Sequence, residues 1–255
     1  VTTCLDALAY DAVFFDFEGT LNDTAQSIRL YAREMAIWMA RLYPDANADW
    51  SQAVLLGFHA MRRLQDEVMP DISTEDGYRA YRRLELRTWL VAVLGHAGIA
   101  AVESLDLDGL AAQLESEIAP RMVATTGAIE AVGAVAAGGL RLFVSSGANS
   151  GYVRRCLKGA GLASSFTEVY GPDRIGTLKT GPDFYIRCFD ASGVTPERAL
   201  VVDDSPEPLV WATALGAQAI AVGIGDSLPA PRSGRRRIVA IGNLGELPAV
   251  LRLVK

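Results

Sequence analysis

Residues 10–21 run Tyr10-Asp11-Ala12-Val13-Phe14-Phe15-Asp16-Phe17-Glu18-Gly19-Thr20-Leu21. The apolar run closes on a carboxylate and is followed by Gly19 and Thr20, which predicts a buried strand over residues 10–16 whose C-terminal end opens into a loop. Two acids stand two residues apart at that end, with a glycine where the backbone can approach a ligand closely. In isolation the same residues also fit a plain turn, with Asp16 as its cap and Glu18 in water.

Outward from this strand the pattern changes. From Asp23 to about Met122 the segments 25–42, 50–68, 76–94 and 105–118 carry apolar residues at helical spacing, with no convincing strand between them. Beyond Gly127 helices and strands alternate: a helix to about Ala137, a strand over 140–145, a helix over 149–159 and a short strand near 167–170. A helix over 182–191, a strand over 199–203 and a helix from Glu207 follow. Strands near 217–222 and over 237–241 and a final helix from Asn243 complete the chain. This alternation implies an α/β fold, a doubly wound parallel sheet whose first strand is separated from the others by an inserted all-helical cap. The expected division is a core of residues 1–21 and 125–255 and a cap of residues 22–124.

The chain has 255 residues, enough at about 150 per domain for one large domain or one with a substantial insertion. Half of the residues are hydrophobic and 21% are charged, so a disordered chain is excluded. The 24 basic and 30 acidic residues leave a net charge of −6, which repels nucleic acid and anionic lipid. Cys4, Cys156 and Cys188 are too scattered for a disulfide framework or a zinc site, and a reducing cytoplasm is expected. Asp6 and Asp11 break the N-terminal stretch, which lacks the basic start and apolar run of a secretory signal. Residues 208–225 are too divided by glycine for a membrane span. The basic run Arg235 to Arg237 in the stretch 228–237 reads as an exposed loop and strand start.

In open parallel sheets ligands lie beyond the carboxyl ends of the strands, so the polar residues that close strands are the candidates. The segment Leu142-Phe143-Val144-Ser145-Ser146-Gly147 ends a strand in hydroxyls ahead of a helix start near Asn149, a setting suited to phosphate oxygens as well as to simple helix capping. Only three lysines occur, and Lys179 stands in Thr177-Leu178-Lys179-Thr180-Gly181-Pro182 just before a helix, where a compact ammonium could neutralise clustered oxygens or simply face water. Leu200-Val201-Val202-Asp203-Asp204-Ser205 closes a strand on adjacent acids that repel unless a cation such as magnesium shares them; the alternative is a solvated turn.

Asp16 and Glu18, Ser145, Lys179, and Asp203 with Asp204, in this order and at these strand ends, resemble the haloacid dehalogenase-like (HAD) hydrolase superfamily. The resemblance covers residues 10–21 and about 124–255, and the position of the insertion resembles the alpha-helical cap type. It implies that Asp16 is a nucleophile forming an aspartyl-phosphate and that Glu18 is the general acid and base. Glu18 stands where most phosphatases of the family have aspartate, so its reach is longer by one methylene. The resemblance further implies Mg²⁺ held by Asp16, the Glu18 backbone carbonyl and Asp204, with Asp203 direct or through water. Thr20 would orient Asp16, and Thr20, Ser145, Ser146 and Lys179 would bind the phosphoryl group. The implied activity is a magnesium-dependent phosphatase of a small phosphorylated metabolite. Asp-x-Glu-Gly-Thr and Ser145-Ser146-Gly147 also resemble the enolase-phosphatases of methionine salvage, although Leu21-Asn22-Asp23-Thr24 departs from that group. A phosphomutase, a dehalogenase and a non-catalytic binding protein on the same fold are further alternatives.

In the cap, Arg79, Arg83 and Arg87 recur on one helical face with Arg62, Arg63, Tyr78, Tyr81 and Trp89 nearby, either as an anion site or as a solvated face paired with Glu75 and Glu85. His59 and His96 are expected to be ordinary helix residues, and Trp38, Trp50 and Phe58 part of the cap core.

Overall fold

The computed structural model describes residues 4–99, 106–228 and 237–253. They form two compact units, Val1–Thr24 with Met122–Lys255, and Ala25–Arg121.

The first unit is an α/β layer structure. It has β1 (Ala12–Phe15), α5 (Ala128–Ala137), β2 (Arg141–Ser145), α6 (Ser150–Gly159) and β3 (Glu168–Tyr170). Then come α7 (Pro172–Ile175), α8 (Asp183–Ser192), β4 (Ala199–Asp203), α9 (Pro206–Ala214), β5 (Gln218–Val222), β6 (Val239–Ile241) and α10 (Leu247–Val250). All strand pairs are parallel and the order is β3-β2-β1-β4-β5-β6. The strands are continuous apolar runs because helices cover both faces. On one face Phe14 stacks on Phe143 at 4.9 Å and meets Phe189 of α8 edge-on at 5.2 Å. On the other, Phe15 meets Phe166 edge-on at 6.1 Å. Phe14, Phe15, Phe184 and Tyr185 are fully buried, each contributing about 2 kcal/mol or more by removal from water.

The chain reverses direction across the sheet between β1 and β4, and a doubly wound sheet opens its ligand crevice at such a point. Phe15 is level with Val144 of β2 and Val202 of β4, so the next residues, Asp16, Ser145 and Asp203, leave three neighbouring strands at the same height.

The second unit is all helical: α1 (Thr24–Leu42, shared at its first residue with the first unit), α2 (Trp50–Glu67), α3 (Glu75–His96) and α4 (Leu107–Ile118). Asp49, Thr74 and Asp106 cap the last three, each accepting a backbone N–H of the first turn, worth about 1 kcal/mol apiece. The core holds Met35, Met39, Trp50, Val54, Trp89, Leu90 and Val93, with Trp38 and Phe58 packed against it at its margin. Gly57 lets α2 approach α3 closely, since a Cβ there would lie 2.8 Å from Trp89 Cδ1.

Some expectations are corrected. The four-residue α7 was not anticipated, because a piece that short shows no apolar period and only its Pro172 start was visible. The final helix begins later than Asn243: that residue caps a 3-10 turn over Leu244–Glu246, and α10 follows. Glu85 does not belong to the solvated arginine face. It is buried and bonded to Arg82 and Gln65, whereas Arg79 pairs with Glu75 and Asp76 and Arg83 with Asp108. His59 and His96 are exposed helix residues. Most of the basic run of 228–237 and the start of the segment 105–118 lie outside the described residues. No helix among the described residues is long and apolar enough to cross a membrane.

Candidate active site

Lys179 organises the strand ends. Its Nζ lies 2.6 Å from Asp16 Oδ1, 2.7 Å from Asp203 Oδ2 and 3.1 Å from the Ser145 carbonyl oxygen, donating to each. The lysine comes from the loop before α8, and its side chain is only 9% exposed. Burial by itself would lower the Lys179 ammonium, but the Asp16, Tyr185 and Asp203 oxygens hold it well above the ordinary lysine range. Asp203 is further fixed by the Tyr185 hydroxyl, which donates to Oδ2 at 3.3 Å, and by the Ser205 N–H, which donates to Oδ1 at 2.9 Å.

Asp204 approaches from the loop after β4. Gly19, with φ +86°, permits that approach: a Cβ on it would stand 1.9 Å from Asp204 Oδ2. Carboxylate oxygens of Asp16, Asp203 and Asp204 lie within 4.8 Å of one another. Three carboxylates against one ammonium leave a deficit of positive charge. Burial, only partly offset by Lys179, lifts the Asp16 carboxyl above its usual range, with Asp203 and Asp204 adding to the lift. Burial and then Asp203 raise Asp204 as well. An all-oxygen cluster short of positive charge is the donor set that a hard divalent cation fits.

The Glu18 carboxylate is held by the loop that follows it. Asn22 Nδ2 donates to its Oε2 at 2.8 Å and Thr24 Oγ1 donates to the same oxygen at 2.9 Å. Burial raises the Glu18 carboxyl above the ordinary range, although these two hydrogen bonds favour the charged form. Thr20 is fully buried and its hydroxyl has no hydrogen-bond partner among the described residues, Asp16 included; its carbonyl accepts from the Thr125 hydroxyl. Ser145 Oγ donates weakly to the Phe15 carbonyl at 3.4 Å, and Ser146 Oγ accepts the Ala148 N–H at 3.0 Å. Asp16, Ser145, Lys179, Asp203 and Asp204 thus meet at one point, with Glu18 and Ser146 in the adjoining loops and Thr20 one turn further on.

Three participants escaped the sequence reading. Tyr185 lies in the apolar stripe of α8, six residues beyond Lys179, and its pattern reads as core. Asn22 and Thr24 follow the signature in a segment that reads as the start of the insertion.

The family model of haloacid dehalogenase-like hydrolases matches residues 10–210. A phosphoglycolate phosphatase of Rhodospirillum rubrum is 36% identical over 101 residues, a match that spans 40% of this chain and 42% of that relative's length. The L-2-haloacid dehalogenase of Xanthobacter autotrophicus superposes with a TM-score of 0.61 at 20% identity, over 95% of this chain and 98% of that one. The HAD-hydrolase YfnB of Bacillus subtilis, solved bound to magnesium, gives 0.66 at 18% identity with the same coverage. At these identities the two structures speak for the fold alone. The family match takes in β1 to β4 and every strand-end residue gathered above, and the chain belongs to the haloacid dehalogenase-like hydrolases.

Proposed function

We propose that this hydrolase is a magnesium-dependent phosphatase of a small phosphorylated metabolite, working through an aspartyl-phosphate. The observation that carries the reading is the buried cluster in which Lys179 bridges Asp16 and Asp203 while Asp204 adds an uncompensated charge. Such a site suits a substrate that arrives with a cation. Asp16, Asp204 and the Glu18 backbone carbonyl, with Asp203 direct or through water, would hold Mg²⁺, whose charge offsets that of the phosphoryl oxygens.

Asp16 attacks phosphorus, the bond to the ester oxygen breaks, and Glu18 passes its proton to the departing oxygen. Burial keeps the Glu18 carboxyl protonated to higher pH than a free glutamate, which suits an acid. In the second half a water attacks the aspartyl-phosphate and Glu18 takes its proton, returning both carboxylates to their starting states. Lys179, Ser145 and Ser146 bind the phosphoryl oxygens. The name of the Rhodospirillum rubrum relative supports a small phosphorylated substrate, and the cluster of Asp16, Asp203 and Asp204 supports the metal.

The dehalogenase likeness favours a second reading, attack of Asp16 on a halogen-bearing carbon. The two separate in one assay. Phosphate release from an aryl phosphate that needs magnesium and vanishes in Asp16→Asn supports the phosphatase, whereas chloride release from a 2-haloacid without magnesium would overturn it.

A further inference from the structure

The segment Leu21-Asn22-Asp23-Thr24 has no part in the chemistry so far, yet Asn22 is 1% exposed. Its backbone is stitched on both sides: the N–H donates to the Phe17 carbonyl and the carbonyl accepts the Gly19 N–H, both at 2.8 Å. Those bonds hold the loop whatever the side chain is. The side-chain amide is a separate matter. Buried amides are costly unless hydrogen-bonded, and this one donates to Glu18 Oε2 at 2.8 Å, alongside Thr24 Oγ1 at 2.9 Å. Among the described residues both bonds fall on Oε2 and none on Oε1. Both acceptor positions of Oε2 are taken up by these two donors, which leaves Oε1 as the oxygen open to another group. Glutamate also has one torsion more than aspartate to fix, and transfer of a proton depends on its position being held.

We propose that Asn22 is a positioning residue for Glu18: its amide pins Oε2, which leaves Oε1 as the oxygen that gives and takes the proton. The role rests on the phosphatase reading of Glu18. Asn22→Leu keeps the side-chain shape and removes the donor, and Asn22→Ala removes the donor without adding bulk. The test compares kcat/KM for an alkyl phosphate, whose departing oxygen needs the proton, with that for p-nitrophenyl phosphate, whose does not.

Either variant should lose roughly 10- to 100-fold on the alkyl ester and no more than about 3-fold on the aryl ester, a part of the effect of losing the acid outright. In a Glu18→Gln background, Asn22→Leu should change neither value further. An equal loss on both esters, or an undiminished loss in the Glu18→Gln background, overturns the role. A readout free of turnover is the side-chain amide resonance pair of Asn22, assigned by its disappearance in Asn22→Leu. It should shift in Glu18→Gln, and an unmoved pair overturns the contact. If the unsubstituted protein releases phosphate from neither ester, the phosphatase reading falls and takes this role with it, whereas turnover without the leaving-group split overturns the role alone.

Discussion

Gly19→Ala tests the joint that brings Asp204 to Asp16. Two costs add at this position. Gly19 has φ +86°, and moving a residue with a Cβ into the left-handed region costs roughly 1–2 kcal/mol. The new Cβ would also stand 1.9 Å from Asp204 Oδ2, so the carboxylate must retreat by about 1.5 Å to ordinary contact. Together they should destabilise the α/β unit by roughly 1–3 kcal/mol, lowering its melting midpoint by roughly 2–10 °C. The larger effect is on magnesium. A ligand at 100 times its dissociation constant stabilises by about 2.7 kcal/mol, and a site whose Asp204 oxygen is displaced should lose most of that increment. Thermal melts with and without magnesium measure both terms. Gly181→Ala is the control, having no atom within 4 Å of its added Cβ. A Gly19→Ala protein with the normal midpoint and the full magnesium increment would refute both the assigned approach of Asp204 and its part in holding the metal.

Asp16→Asn should abolish turnover and, in magnesium-free buffer at neutral pH, melt higher than the unsubstituted protein, because one of three crowded carboxylates is removed while Lys179 keeps Asp203; a lower midpoint in calorimetry contradicts the charge deficit. Glu18→Gln should fold and bind magnesium normally and lose 10²- to 10⁴-fold in turnover, with Asp16 phosphate accumulating from an activated aryl ester, as read by intact mass after acid quench; unchanged steady-state turnover moves the acid role elsewhere. Arg82→Met should destabilise the helical unit by roughly 1–3 kcal/mol, since the buried Glu85 loses the guanidinium that bonds it at 3.3 Å and Glu115 loses its bond at 2.5 Å. Urea denaturation followed by tryptophan fluorescence reports it, and a change below 1 kcal/mol would show that the pair is hydrated.

The strand ends were legible because a parallel sheet buried on both faces writes each strand as an unbroken apolar run, and the first polar residue after the run marks its end. Asp16, Ser145 and Asp203 follow from that rule alone. The phase of α3 was harder. The spacing of Arg79, Arg83 and Arg87 was plain, but the buried stripe passes through Tyr81, Glu85, Trp89 and Val93, with a glutamate in its middle. An acid in an apolar stripe looks like an interruption until its partners, Arg82 beside it and Gln65 twenty residues earlier, are seen. Tyr185 and Asn22 were hidden for the opposite reasons. The tyrosine fits the apolar period so well that its hydroxyl drew no notice, and the asparagine looks like loop although a fold-back onto Phe17 buries it.

The chain leaves the α/β unit after Thr24 and returns at Met122, and the passages just inside these points are laced together. Asn22 bridges Ala124, the Asp23 N–H donates to the Val123 carbonyl at 2.7 Å, and the Thr125 N–H donates to the Leu21 carbonyl at 3.0 Å. The lacing short-circuits the insertion. Pairing β1 with β2 would otherwise require closing a loop from Asp16 to Ser145, but once the passages are joined the open path shrinks to about 30 residues, and the entropic cost of closure falls by roughly 1 kcal/mol. The sheet is in that sense indifferent to what the enclosed segment is, and a short turn joining residue 22 to residue 124 should serve it as well as the present helices do.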